Sequence, residues 1–346
     1  MDRIKKIQKS LDDWEVDLLI VDHPIDLFYL IGEVLSLGRL MISKQEVVLY
    51  VDGRYYELCK KKLLIPVALL EKERDFFSLF EGKRIGFDAF FTTYDCFLKF
   101  SSFKHEWVPL SKPLQLIRSI KEPLEIEALK RAANLCAEGF DFLLSLLKKG
   151  VTEKQLSIEL EVYWRKKGGE RLSFPPQIAF GKNSAYPHSR VGDLALEPGD
   201  IVLIDIGVVV NHYHSDMTRT IFFGEPQEEL KKIHEIINAA QSKAFALCKP
   251  GTPIAELDHI ARSYITESGY GDQFLHSLGH GVGLEIHEEP YIRKKAVGEL
   301  KEGMVITIEP GIYLVNQGGV RLEDTIVITS NGFENLTHRP WNSDFH

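Results

Sequence analysis

The sequence predicts two domains, an α/β domain followed by a larger α+β domain that consists of two related halves. The chain has 346 residues, and at roughly 150 residues per domain this length predicts about two domains. Strand-like and helix-like segments alternate in the N-terminal third, a pattern typical of an α/β domain with a central sheet. In the remainder, a helix pair and two strands with acidic residues occur twice.

The N-terminal domain is expected over residues 1–115. Its predicted strands are the short apolar runs at 17–21, 46–52, 66–71 and 84–88, and a helix is predicted at 53–63. Three prolines between residues 109 and 123 predict the boundary with the next domain. This domain shows no cluster of catalytic residue types.

The second domain is expected over residues 120–346 and begins with two helices. Pro123 suits the first turn of a long amphipathic helix, which should end near Gly150. Thr152, followed three residues later by Gln155, forms a capping box. A second helix is therefore predicted from this point to Gly168.

The second domain contains an internal repeat. The segment GVTEKQLSIELEVYWRKKGG, which starts at Gly150, resembles GTPIAELDHIARSYITESG, which starts at Gly251. A clearer pair follows, LEPGDIVLIDIG at 196–207 and LKEGMVITIEPG at 300–311. We expect the two halves to pack about a pseudo-twofold axis.

This repeat places four acidic residues at equivalent positions. Asp205 aligns with Glu309, and Asp216 aligns with Glu323. Burial of one uncompensated carboxylate costs several kcal/mol or forces proton uptake. A structural salt bridge would explain any one of these residues, but four at equivalent positions indicate a shared role. Two divalent cations would balance the four charges.

The segment HSLGHGVGLEIHEEP at 276–290 supplies a fifth ligand candidate. His280 lies between Gly279 and Gly281, and glycines let the backbone approach a metal without a Cβ clash. A glycine-rich turn with an incidental histidine is the alternative. One imidazole and four carboxylates are a hard ligand set, which favours Mn²⁺, or Co²⁺ and Zn²⁺ in vitro. Two such ions about 3.5–4 Å apart are a common hydrolytic device.

Three other motifs have little support in the sequence. The glycines at 279, 281 and 283 do not have the G-x-G-x-x-G spacing of a dinucleotide loop. In HEEPY, Tyr291 occupies the position of the second zincin histidine. A G-x-S-x-G motif is absent from the sequence, so a serine hydrolase has little support.

Composition excludes several function classes. The formal net charge of −8 argues against a protein that binds nucleic acid through phosphate contacts. The four cysteines are far apart, which favours reduced thiols over disulfides or a zinc knuckle. No signal peptide is evident, and no apolar run approaches the roughly 20 residues that span a bilayer. We therefore expect a soluble cytoplasmic protein without nucleic-acid or membrane partners.

Four motifs together resemble those of the pita-bread metallopeptidases, and within them the Xaa-Pro peptidases, prolidase and aminopeptidase P. The motifs are VLIDIGVVVNHYHSDMTRT, HSLGHGVGLEIHEEP, ITIEPGIY and GVRLEDTIVIT. The resemblance covers residues from about 120 to the end, and DLFYLIG and VDGRYYE extend it faintly into the first domain. It implies a creatinase-like N-terminal α/β domain before an α+β pita-bread catalytic domain.

The resemblance also implies a role for each motif residue. The ligands of two metals would be Asp205, Asp216, His280, Glu309 and Glu323. Asp216 and Glu323 would bridge the metals, and Glu309 would exchange a proton with a metal-bridging hydroxide, the nucleophile.

Residues around the metals are implied in the same way. His188 and His287 would hydrogen-bond the substrate and the tetrahedral intermediate, and His276 would line the pocket. Arg321 and Tyr313 would orient the metal-bound carboxylates. For each histidine, a satisfied structural histidine is the alternative.

The implied reaction is hydrolysis of Xaa-Pro bonds, with a proline dipeptidase favoured over an aminopeptidase P that acts on longer peptides. Phe174 and Tyr186 could form the proline slot, although core packing explains them equally well. Methionine aminopeptidases share the site but lack the N-terminal domain. Metal-free or non-catalytic relatives would show gaps among the five ligand positions, and none is present. Family members are commonly homodimers, which implies a homodimer here.

Overall fold

The computed structural model describes residues 2–71, 73–80, 82–339 and 344–345. The chain divides into two compact units after Ile117. In the described part of the chain, no helix is both long and apolar enough to cross a membrane.

The described residues of the N-terminal unit form an α/β unit with a six-stranded sheet, in the order β4-β3-β2-β1-β5-β6. Its strands are β1 Leu18–Val21, β2 Arg39–Ser43, β3 Val47–Val51, β4 Val67–Leu69, β5 Arg84–Asp88 and β6 Glu106–Leu110. Its helices are α1 Asp2–Asp13, α2 Pro24–Ile31, α3 Tyr56–Lys62, α4 Glu73–Ser78 and α5 Tyr94–Ser101, and the short α6 spans Gln115–Arg118. Strand β1 pairs antiparallel with β2 and parallel with β5, which pairs parallel with β6.

The four strands and the helix predicted in this unit are confirmed, but β2 and β6 were not predicted. Strand β6 contains Pro109, which cannot donate a ladder hydrogen bond and argues against a central strand. The structure places β6 at the edge of the sheet, where a missing donor is tolerated.

The described part of the second unit contains four long helices: α7 Pro123–Leu146, α8 Glu153–Lys166, α9 Glu228–Phe245 and α10 Ile254–Glu267. Helix α7 starts at the predicted proline. The hydroxyl of Thr152 accepts the backbone N–H of Gln155, whose side chain accepts the N–H of Thr152, so the predicted capping box is confirmed. Helix α7 packs closely on α8 at Gly139, where a Cβ would lie 2.3 Å from Nε1 of Trp164.

The strands described in the second unit form four sheets. Their bounds are β7 Arg171–Leu172, β8 Gln177–Phe180, β9 Asp200–Ile206, β10 Val208–Val210, β11 Tyr213–His214, β12 Met217–Phe223, β13 Gly279–Gly281, β14 Glu288–Ile292, β15 Val305–Ile308, β16 Gly311–Leu314, β17 Gly318–Arg321, β18 Asp324–Thr329, β19 Gly332–Asn335 and β20 Asp344–Phe345. The sheet orders are β20-β12-β9-β8, β14-β13-β15-β18-β19, β11-β10-β7 and β16-β17.

The structure confirms the internal repeat at the level of individual hydrogen bonds. Gly150 donates its N–H to the carbonyl of Leu196 at 2.8 Å, and Gly251 donates to Leu300 at 2.9 Å. Both glycines have φ near +86°, a conformation that favours glycine. Helices α8 and α10 that follow both have 14 residues. The antiparallel pairs β9–β12 and β15–β18 occupy equivalent places in the two halves.

Each half has its own apolar core. Side chains of α9 and α10 pack with those of β15 and β18 in one cluster, and side chains of α7 and α8 pack with those of β9 in another. The four acidic residues of the repeat lie in or directly next to these central strands.

Candidate metal centre

The strand pairs bring the four acidic residues of the repeat together. Asp205 lies in β9, and Asp216 directly precedes β12. Glu309 directly follows β15, and Glu323 directly precedes β18. Thr218 pairs with Asp205 across β9 and β12 and forms an isolated bridge with Glu323, which joins the two halves at this point.

His280 in β13 joins this cluster. Its Nε2 lies 3.6 Å from Oδ2 of Asp216 and 3.4 Å from Oε1 of Glu309. One ligand atom each from Asp216, His280 and Glu323 lie within 4.8 Å of one another. The five residues predicted as metal ligands therefore meet at one buried place.

The charges of this cluster are not balanced by side chains alone. Burial and the neighbouring carboxylates raise the pKa of Asp216 and of Glu323 well above their ordinary values. Burial first, and then repulsion by Asp205, raises the pKa of Glu309 to about 8, although the Arg321 guanidinium opposes this shift. Without cations, the ionised forms of these groups are therefore disfavoured.

The histidine of the cluster is in its metal-binding form. Burial, with a further contribution from the neighbouring His287, lowers the pKa of His280 to about 3. Its Nδ1 lies 3.1 Å from the carbonyl oxygen of Gly281, so Nδ1–H donates there and Nε2 faces the carboxylates as an acceptor. A backbone partner of this kind fixes the tautomer of a metal-ligating histidine.

The donor set fits divalent metal ions. Oδ1 of Asp205 is buried and has no hydrogen-bond partner among the described residues. Such an orphaned carboxylate oxygen costs about 1–3 kcal/mol or more unless a cation or water meets it. Four carboxylates and one neutral imidazole form a hard, oxygen-rich set suited to such ions.

Arg321 organises the residues beside the cluster. Its Nη2 donates to Oδ2 of Asp205, and its Nη1 donates to the hydroxyl of Tyr313 at 2.6 Å. The Tyr313 hydroxyl can therefore donate its own proton to Nε2 of His276, 2.9 Å away. Nδ1 of His276 then donates to the carbonyl of Ser277 at 2.8 Å. Burial and the nearby Arg321 lower the pKa of His276 to about 4, so this chain holds a neutral imidazole.

The other two predicted histidines are exposed beside the cluster. The ring of His287 lies with its centroid 4.3 Å from that of His280, in an edge-to-face arrangement. His188 is exposed, and its charge lowers the pKa of both His276 and His287. His188 therefore lies close enough to His276 and to His287 for electrostatic coupling.

The residues suggested for a proline slot differ in burial. The ring of Phe174 lies against Gly207, where a Cβ would come within 2.9 Å of its Cε1. The side chain of Tyr186 is 54% exposed.

Sequence reasoning missed three polar residues that hold the carboxylates. Thr218 donates its hydroxyl to Oε2 of Glu323 at 2.6 Å, and Thr307 donates to Oε1 of Glu309 at 3.2 Å. Gln177 in β8 donates to Oδ2 of Asp205 at 3.1 Å. Each threonine is two residues from an acidic residue, and strand alternation places such pairs on the same side. This two-residue spacing could have identified the threonines from the sequence. Gln177 lies in a different strand from Asp205, so no local spacing connects the two.

Comparison with known proteins identifies the family. Residues 127–330 match metallopeptidase family M24, and residues 3–120 match the Creatinase/Prolidase N-terminal domain. An Xaa-Pro dipeptidase from Pyrococcus furiosus is 38% identical, and the match covers 97% of this chain and 97% of that protein. The structure of an Xaa-Pro dipeptidase from Bacillus anthracis matches with a TM-score of 0.95 at 34% identity, over 99% of this chain and 98% of that one. An X-Pro aminopeptidase from Thermotoga maritima matches with a TM-score of 0.87 at 31% identity, over 98% of both chains.

The chain therefore belongs to metallopeptidase family M24, in its group of Xaa-Pro peptidases. The predicted fold class is confirmed: a creatinase-like N-terminal α/β domain precedes a pita-bread catalytic domain. The protein is a metallopeptidase, and its family implies divalent metal ions.

Proposed function

We propose that this M24 metallopeptidase hydrolyses the peptide bond that precedes proline and that its preferred substrate is an Xaa-Pro dipeptide. The observation that carries the proposal is the buried cluster of four carboxylates and one neutral imidazole, on a chain that resembles an Xaa-Pro dipeptidase along almost its whole length. The resemblance supplies the substrate class, and the cluster supplies the chemistry.

The proposed metal ligands are the five clustered residues, Asp205, Asp216, His280, Glu309 and Glu323. We propose two Mn²⁺ ions, with Co²⁺ or Zn²⁺ as substitutes, because the donors are mainly hard oxygens. When bound, the ions supply a water molecule activated for attack at neutral pH and polarise the scissile carbonyl.

Glu309 is the proposed general base and acid. Its Oε1 lies 3.4 Å from Nε2 of His280, so Glu309 is placed among the proposed ligands, where a carboxylate can accept a proton from the attacking water and return it. Glu309 accepts a proton as the water attacks the scissile carbonyl, and it returns that proton to the proline nitrogen as the C–N bond breaks. The hydroxyl of Thr307 holds its Oε1 at 3.2 Å and fixes its position.

The exposed histidines are proposed to bind the substrate. N–H groups of His188 and His287 donate to substrate oxygens, including the oxygen that gains negative charge during attack. His276 lines the pocket in the orientation fixed by Tyr313 and Arg321. The nitrogen of an Xaa-Pro bond carries no hydrogen, so the site needs no acceptor for it.

The alternative function is that of an aminopeptidase P. The similarity to an X-Pro aminopeptidase from Thermotoga maritima favours it and leaves the chemistry unchanged. Hydrolysis of Ala-Pro and Ala-Pro-Ala by metal-stripped protein, with and without Mn²⁺, separates the two. Mn²⁺-dependent cleavage of Ala-Pro with Ala-Pro-Ala nearly inert supports the dipeptidase, and the reverse preference supports the aminopeptidase. Failure to cleave either with Mn²⁺, Co²⁺ or Zn²⁺ contradicts the proposal.

Two further properties are proposed from the sequence and the family resemblance. The protein is a homodimer, and an active monomer in sedimentation at nanomolar concentration would contradict this. It is cytoplasmic, since Cys59, Cys96, Cys136 and Cys248 are free thiols, as is usual in a reducing compartment. Secretion of the native protein, detected by fractionation, would contradict this location.

A further inference from the structure

Glu153, the first residue of helix α8, is a buried acid that the proposed mechanism does not use. Among the described residues, no basic side chain forms an ion pair with it. Its carboxylate instead accepts hydrogen bonds from three neutral donors: the backbone N–H of Phe180 at 2.8 Å, Nδ2 of Asn183 at 2.9 Å and the backbone N–H of Gly192 at 2.9 Å. A buried carboxylate without a cation is tolerated when such donors meet its oxygens.

The three donors lie at the two ends of the segment that carries His188. Phe180 and Asn183, before His188, share Oε1 of Glu153, and Gly192, after His188, donates to Oε2. The carbonyl of Gly192 also accepts the backbone N–H of Lys154 at 3.0 Å, so this end is joined to α8 twice. One planar carboxylate therefore fixes the two ends of segment 180–192 relative to each other.

The middle of this segment is joined to residues beside the metal centre. Oγ of Ser184 accepts the backbone N–H of Gly319 in β17 at 2.9 Å. The carbonyl of Pro187, the residue before His188, accepts from Nη1 of Arg321 at 3.5 Å. A hydrogen bond of that length is weak, so the position of His188 depends on how the end of the segment is held.

The other half of the repeat holds a histidine in a comparable way. Asp258 in α10 is fully buried and accepts the backbone N–H of Leu278 at 3.3 Å. Its ion-pair partner Arg262 donates to the backbone carbonyl of His276 at 2.7 Å. A buried acid on each of the equivalent helices α8 and α10 therefore takes part in fixing a segment that carries one of the proposed substrate-binding histidines.

The repeat also indicates that the helix does not need Glu153 in order to form. Because Gly150 and Gly251 are equivalent, Glu153 is equivalent to Ile254, the first residue of α10. Ile254 packs in the apolar core, and α10 has the same length as α8. An acid at this position is therefore explained by the segment that it holds and not by the helix that it begins.

We propose that Glu153 is a positioning residue for His188, which it keeps in place by holding both ends of segment 180–192. This role rests on the proposed function, in which His188 donates to substrate oxygens. A hydrogen bond to the oxygen that gains charge accelerates the reaction only if its donor is already in place. Release of the segment should therefore remove the contribution of His188 and leave the metal ligands intact.

The test measures Ala-Pro cleavage by Mn²⁺-loaded wild type, Glu153→Ala and Glu153→Gln, each with His188 intact and with His188→Ala. With His188 intact, we expect Glu153→Ala to lower kcat by up to about tenfold, the loss of one hydrogen bond to a charged group. Glu153→Gln keeps one acceptor oxygen, so its loss should be smaller. In the His188→Ala background, neither change should lower kcat further.

Trypsin provides a readout that does not depend on activity. Lys182 and Arg190 are exposed within the segment, so release of its ends should speed cleavage after them severalfold in Glu153→Ala. His188→Ala should be cut at the wild-type rate, and the metal content of every variant should equal that of wild type. Glu159→Gln, at an exposed acid of α8, is the matched control and should change none of these measurements.

Three results would overturn the positioning role: an equal loss of kcat with and without His188, a loss of metal, or unchanged trypsin cleavage in both Glu153 variants. If Glu153→Ala does not fold, the isosteric Glu153→Gln makes the same comparison. If wild type cleaves no Xaa-Pro peptide, the proposed function and this role fail together. Equal losses in both backgrounds of an active protein overturn only the role of Glu153, so the two failures are distinguishable.

Discussion

Two buried acidic regions of the catalytic unit differ in how their charge is balanced. Glu288 is only 1% exposed, yet the neighbouring Lys121 and Arg118 overcome the effect of burial and lower its pKa. Asp216 and Glu323 are buried to a similar degree, but their pKa is raised because their neighbours are mainly other carboxylates. Burial alone therefore does not identify a functional acid. A functional acid is identified when it is buried without enough side-chain cations among its described neighbours.

This comparison separates a structural charge cluster from a metal-binding one. The Glu288 cluster is complete within the protein, so its removal should affect folding. The four-carboxylate cluster is complete only with cations, so its disruption should affect metal binding and catalysis.

The largest expected effect is on activity, in Glu323→Ala. This change removes one proposed metal-bridging carboxylate, and we expect turnover of Ala-Pro to fall by more than the roughly 100-fold that loss of an outer partner alone can reach. Circular dichroism should show a folded protein, and elemental analysis should show a reduced metal content. Glu334→Ala, at an exposed acid of β19, is the control. Turnover equal to that of wild type would contradict the proposed ligand set.

The next effect is on stability, in Glu288→Ala. This change leaves the buried Lys121 without its carboxylate and Arg118 with only Glu285, so the free energy of unfolding should fall by about 3–5 kcal/mol. In metal-free protein, Glu323→Ala should cost less, because Glu323 has no ion-pair partner among the described residues and loses mainly the hydrogen bond from Thr218. Urea unfolding of both metal-free variants measures the contrast, and an equal loss in both would remove the distinction between the clusters.

A smaller effect, of a few kcal/mol at most, is the pH dependence of the metal-free protein. The folded-state pKa of Glu309 is about 8, above the ordinary value of 4.5, so the folded state holds an extra proton between these values. The contribution of Glu309 to the free energy of unfolding is therefore fully present below about pH 4.5, and it is lost as the pH rises through about 8. Thermal unfolding of metal-stripped protein should show this decline, and Mn²⁺ should remove it. A metal-free protein that gains stability over this range would contradict the assignment.

The smallest effect is expected outside the cluster, in His188→Ala. His188 is proposed to contact substrate and not metal, so turnover should fall by about tenfold, roughly the loss of one hydrogen bond to a charged group. Metal content should stay at the wild-type level in elemental analysis. If metal is lost instead, His188 belongs with the ligands or supports them.

The sequence was sufficient to predict the acidic cluster, because the repeat relates Asp205 to Glu309 and Asp216 to Glu323 without knowledge of the fold. Helices α7 and α8 were predictable for a similar reason, since Pro123 and the Thr152 capping box act locally.

The Glu288 cluster could not be predicted, because its cations come from a segment about 170 residues earlier in the chain. In the sequence, Glu288 lies in the segment HSLGHGVGLEIHEEP, which contains no lysine or arginine. Contacts set by tertiary packing leave no local pattern.

The most direct test of the central claim is calorimetric titration of metal-stripped wild type and Glu323→Ala with Mn²⁺, with Ala-Pro cleavage measured at each addition. We predict two ions per chain in wild type, proton release on binding because the carboxyl groups ionise, and activity that rises with occupancy. The variant should bind fewer ions and stay inactive. Equal binding by wild type and the variant, or cleavage of Ala-Pro without any metal, would contradict the claim that the four carboxylates form a metal site.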